Sequence, residues 1–134
     1  MARRSNNWKR KMPPVYHRAR LLLLQYQAST AKAPRTIKYG LVAETERLIM
    51  EVMVNIAFAD EELNGSKERL AFIEDAQRAM RRVCIVARVI SDSGGMRDSG
   101  FHAICDLEAD VIRQLQLWKS SELHSKKDDS PGVI

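Results

Sequence analysis

No aspartate or glutamate occurs before Glu44, yet the same stretch holds ten cations: Arg3, Arg4, Lys9, Arg10, Lys11, Arg18, Arg20, Lys32, Arg35 and Lys38. The other twelve of the 22 lysines and arginines share the rest of the chain with all seventeen acids, a net of −5 within a total of +5. So lopsided a distribution is the footprint of a polyanionic partner; its ordinary alternative is a solvated basic leader on a globular domain. Cysteine is scarce, with only Cys84 and Cys105. Two thiols without a Cys/His cluster cannot supply the four ligands of a zinc site. They stand equally far from the turn at Gly94 and Gly95, which would permit a bridge, but two buried free thiols are expected in a reducing cytoplasm. The apolar run LLLL at 21–24 is far short of the roughly 20 residues of a membrane span. The basic N-terminus has no apolar signal core, so a cytoplasmic protein is expected. Phosphate-binding glycine loops, nucleophile elbows and metal motifs are missing, so neither cofactor nor metal is expected. His17, His102 and His124 are scattered and read as surface or boundary residues.

Aromatics are only 6% of the chain and no stretch alternates with period two, which points to a helical core of Leu, Ile, Val, Met and Ala. Residues 1–12 form a polar basic arm carrying Trp8 and are expected to be disordered. Pro13 and Pro14 open a first helix from about Val15 to Ala28, with Leu22, Leu23 and Tyr26 on one face. A second runs from about Thr36 to Leu63 on a stripe of Leu41, Leu48, Val52, Ile56, Ala59 and Leu63, widened by Ile49 and Met53, and stops at Asn64-Gly65. A third, capped by Ser66 and ending near Ser91, has the cleanest seam: Ile73, Ala76, Met80, Val83, Ala87 and Ile90, in alternating steps of three and four. A fourth, capped by Asp98 or Ser99, turns Phe101, Ile104, Leu107, Val111, Leu115 and Trp118 inward, and 121–134 read as a disordered tail. The expected fold is all-α: an antiparallel four-helix bundle over residues 13–120.

The second helix begins with the wrong sign of charge. A helix N-terminus carries about half a positive charge and favours acids, yet APRTIKYGL places Arg35 and Lys38 there. Such cations become favourable when an anion docks, because backbone N–H groups and side chains then converge on it. Arg18, Arg20 and Lys32 lie on the preceding helix and link. Helix three adds Arg78, Arg81, Arg82 and Arg88, spaced so that three lie along one flank of its seam. Guanidinium groups fork onto phosphate oxygens. Arg78 is discounted as the i,i+4 partner of Glu74, which leaves Arg18, Arg20, Lys32, Arg35, Lys38, Arg81, Arg82 and Arg88 as the nucleic-acid set. Trp8 is placed to stack on an unpaired base.

Arg97 and His102 form an Arg-x(4)-His pair at the head of helix four. It resembles the motif of HEPN-type ribonucleases, in which such a pair would supply acid–base and phosphate-stabilising groups. A fuller resemblance runs through Pro34-Arg35, Lys38-Tyr39-Gly40-Leu41, Ile49, Ile56 and Ala59. It continues through Arg69-Leu70, Arg88 before Ser91-Asp92, the glycine turn and Trp118-Lys119-Ser120. Over residues 15–120 the chain is similar to the accessory variability determinant (Avd) proteins of diversity-generating retroelements. These lie within a wider four-helix-bundle family that includes proteins encoded in ribosomal RNA intervening sequences. The resemblance implies a homopentameric barrel that catalyses nothing and binds the element's reverse transcriptase and template RNA or cDNA to support mutagenic reverse transcription. Apolar residues outside the main stripes, Ile49, Met53, Phe72 and Val86, are expected to serve the oligomer. Within the wider family, a bundle of unassigned role is the remaining reading.

Overall fold

A computed structural model describes residues 11–128, and among them every regular element is helical. Helix α1 (Pro14–Thr30) starts where Pro13 holds extended backbone and accepts the Tyr16 N–H at 3.0 Å. Its buried side chains, Val15, Ala19, Leu22, Tyr26 and Thr30, step by three and four along one face. A short link leads to α2 (Arg35–Ile37), a single turn that passes into a π-helical segment (Lys38–Val42) and then into α3 (Ala43–Glu61). Helix α4 (Lys67–Asp92) begins at Ser66, whose hydroxyl accepts the Arg69 N–H at 3.1 Å, and α5 (Asp98–Asp128) completes the chain. Among the described residues α1 packs beside α3 and α5, and α4 packs beside both as well, which closes a four-helix bundle. The short links make successive long helices antiparallel.

The seams of α4 and α5 follow the periodicity of the sequence. Ile73, Ala76, Met80, Val83, Ala87 and Ile90 are all buried; on α5 Ile104, Val111 and Leu115 are buried, while Phe101, Leu107 and Trp118 are half-buried against the same core. The second helix differs. Its buried line is Val42, Thr45, Ile49, Val52, Ile56 and Ala59, with Leu48 also inside, whereas Leu41 is only half-buried and Leu63 is 74% exposed beyond the helix end. The π-helical segment fits one more residue into its turn, so Val42 takes the inward position that a regular helix from Leu41 would have filled. Thr45 hid this register because it is polar. Its hydroxyl is satisfied at depth by the Leu41 carbonyl, 2.9 Å away.

The N-terminal arm expected over 1–12 falls almost wholly outside the described residues, and Trp8 with it. At the other end the expected tail is helix as far as Asp128. The reason is a polar hub that the apolar pattern does not reveal. The buried Glu122 carboxylate accepts the Gly65 N–H at 2.6 Å and an Arg69 N–H at 3.2 Å. Arg69 also donates to the carbonyls of Ala59 (2.9 Å) and Asp60 (3.2 Å) at the end of α3, and its guanidinium lies 5.7 Å from the Trp118 ring centre. One arginine thus bonds two carbonyls at the end of α3 and holds the last turns of α5 against the start of α4.

Candidate functional site

The end of α1, the turn α2, the end of α4 and the start of α5 meet at one end of the bundle. Pro34 accepts the N–H groups of Ile37 (3.1 Å) and Lys38 (2.9 Å), which fixes the tight entry into α2. Ile37 seats against the α4–α5 turn because Gly95 has no side chain. A Cβ there would stand 2.8 Å from Ile37 Cδ1 and 2.4 Å from Ile90 Cγ2. Gly94, at φ 80°, supplies the left-handed residue that ends α4. Between the two loops lies an open cleft of about 490 Å3, lined by Ser29, Lys32, Gly94, Arg97, Ser99 and Gly100 among others. Backbone N–H groups in the first turn of α5 have no acceptor within their own helix.

Four cations gather at this end: Lys32, Arg35, Lys38 and Arg97. None forms an ion pair with a described residue; Lys38 reaches back to the Ala31 carbonyl at 3.2 Å. The nearest acids in sequence, Asp92 and Asp98, flank the α4–α5 turn and are exposed. Lys32, Arg35 and Lys38 of the sequence-derived set are therefore brought together, and Arg97 joins them. Its place beside Lys32 follows from the two loops meeting, and the sequence signals this only through the paired glycines at 94 and 95.

The rest of the set is dispersed. Arg18 is turned to α5, where it pairs with Asp110 at 3.0 Å. Hydrogen bonds from Gln114 and Arg113, together with the Arg18 charge, hold the Asp110 carboxyl below its usual range. Arg18 is thus a strut between helices. Arg20 is exposed on α1, ten residues from Thr30, which is about 15 Å along the helix. On α4 the arginines divide between two flanks, with Arg81 and Arg88, seven residues apart, on the same one. Arg82 lines a groove with Glu51, Val54 and Asn55 of α3, whereas Arg88 lies near Cys105 of α5, and Arg81 is turned about 100° from Arg82. The expected Glu74–Arg78 pair is replaced by two others: Arg78 bonds Asp75, and Glu74 bonds Lys119 at 3.2 Å.

His102 is exposed in the first turns of α5, is not among the residues lining the cleft, and makes no hydrogen bond with Arg97. The cysteines are free and half-buried rather than sealed in the core. Burial and the adjacent Glu108, to which the thiol donates, push Cys84 up to about 12, so it is no nucleophile near neutrality. Among the described residues no group of three or more His, Cys, Asp or Glu is placed to hold a metal ion, and no helix is long and apolar enough to cross a membrane. No protein-family model matches the chain, and no curated protein matches it significantly.

Proposed function

We propose that this protein is a non-catalytic nucleic-acid-binding bundle, an accessory subunit of a diversity-generating retroelement. In this reading it assembles as a homopentamer, binds structured template RNA and its cDNA, and presents them to the partner reverse transcriptase. One observation carries the RNA-binding part: Lys32, Arg35, Lys38 and Arg97 converge on one end of the bundle without ion-pair partners among the described residues. Unneutralised cations held close together repel one another, and docking of a polyanion relieves that repulsion. The retroelement assignment rests on the sequence resemblance over residues 15–120.

The test is Arg35→Glu combined with Lys38→Glu. RNA affinity is expected to fall by a factor of a hundred or more in low salt, because each site loses an attraction and gains a repulsion. Helicity should stay intact, since acids suit the start of a helix. For the parent, affinity should decline with salt at a log–log slope of about −0.7 per phosphate neutralised on a single strand. Unchanged affinity in the double variant across a salt titration would remove the physical support for this reading. RNA cleavage that Arg97→Ala or His102→Ala abolishes would replace it with a ribonuclease.

A further inference from the structure

Tyr39 is 73% exposed, the most exposed aromatic among the described residues, and its hydroxyl bonds no described residue. A lone exposed apolar side chain is ordinary, but this one stands on a built platform. It occupies the π-helical segment (Lys38–Val42), and local π-helical turns occur often at functional sites. The inner side of that segment is riveted to α1. The buried Tyr26 hydroxyl donates to the Val42 carbonyl at 2.8 Å, and the Thr45 hydroxyl ties down the Leu41 carbonyl at 2.9 Å. Next to the ring, Gly40 leaves the backbone bare, with nothing within 4 Å of where a Cβ would stand. Lys38 precedes it, and Arg35 lies one turn earlier.

A solvent-facing ring on an anchored backbone segment, beside open backbone and cations without ion-pair partners among the described residues, matches the chemistry of a single strand, with a phosphate on the cations and a base face on the ring. We infer that Tyr39 is a stacking platform for an unpaired base of single-stranded RNA whose phosphates lie on Arg35 and Lys38. This rests on the RNA-binding reading above and specifies it: the site takes unpaired segments, whereas a duplex offers it phosphates alone. A paired base keeps its faces within the helical stack and cannot meet the ring.

The experiment compares the full chain with Tyr39→Ala and Tyr39→Phe on three probes: a short single-stranded RNA, the same sequence as a duplex, and an abasic strand of equal charge. Tyr39→Ala should weaken binding to the single strand about tenfold and leave the duplex and abasic affinities unchanged. Tyr39→Phe keeps the ring and should bind like the parent. Because the side chain is outside the core, thermal melts should coincide; Tyr39→Leu serves if the alanine variant folds poorly. Equal single-strand affinity for Tyr39→Ala and parent, while the Arg35→Glu/Lys38→Glu protein still loses binding, would overturn the stacking role and leave the electrostatic site standing. Equal losses on all three probes would also overturn it, by showing that Tyr39 acts through the fold. A parent that binds none of the probes would end the RNA-binding reading and this inference together.

Discussion

Glu108 is 6% exposed and one of its carboxylate oxygens has no hydrogen-bond partner among the described residues. Burial raises its pKa from 4.5 to about 7, opposed only by the Cys84 thiol that donates to it. The folded chain therefore binds this proton more tightly than the unfolded chain, so the contribution of Glu108 to stability is full below pH 4.5, is lost as pH rises to about 7, and is level above that. Glu108→Gln should stabilise the protein at pH 8 by roughly 1–2 kcal/mol, less than the full shift because the new amide also buries an unpaired group. The advantage should vanish below pH 4.5. Melting temperatures of both proteins at the two pH values check this, and a parent whose stability is flat across the window would refute it. The same residue-scale logic keeps Tyr26 protonated, its phenol raised to about 12 by burial. It remains a hydrogen-bond donor to Val42 at any physiological pH.

At the scale of elements, α5 depends on a contact far from it in sequence. Arg69 and Glu122 have side chains 12% and 8% exposed, and removing one partner strands a buried charge. Arg69→Ala should cost about 3 kcal/mol, and it also removes the hydrogen bonds to the carbonyls of Ala59 and Asp60. Amide hydrogen exchange should speed up selectively after Ser120, where the apolar stripe has already ended. Uniform loss of protection along α5, or none, would show that Arg69 is not what holds its last turns. The α2 turn is seated in the opposite way, by the absence of side chain at Gly95 rather than by a charge.

Across the whole molecule, the apolar residues left in solvent are not those expected. Ile49 is fully buried, Met53 and Val86 pack on the core, and Phe72 meets Phe58 at 5.4 Å between ring centres. Exposed instead are Met50, Val54 and Phe58, at four-residue steps along α3, and Ile85 with Val89 on α4. With Leu21 and Leu24 on α1 and Ile112 and Leu117 on α5, these are exposed apolar residues available to the proposed pentamer. Sedimentation should find a species several times the 15.3 kDa of one chain. Replacing Val54 with Asp should dissociate it without loss of helix content. A parent that stays monomeric at micromolar concentration would count against the assembly.

By itself the sequence determined what depends on near neighbours: four amphipathic helices, the Ser66 cap, the glycine stop after α4, and an acid-free first third. Helix periodicity is local, so Ile73 to Ile90 could be placed from spacing alone. Tertiary structure decided what depends on residues far apart in the chain. It set the register of α3 through a π-helical turn backed by Tyr26, and it extended α5 through Arg69 and Glu122. It also sorted the cations, because a charge is free or spent according to what another helix places beside it. Asp110 takes Arg18 out of the basic set, while the meeting of two loops adds Arg97 to it.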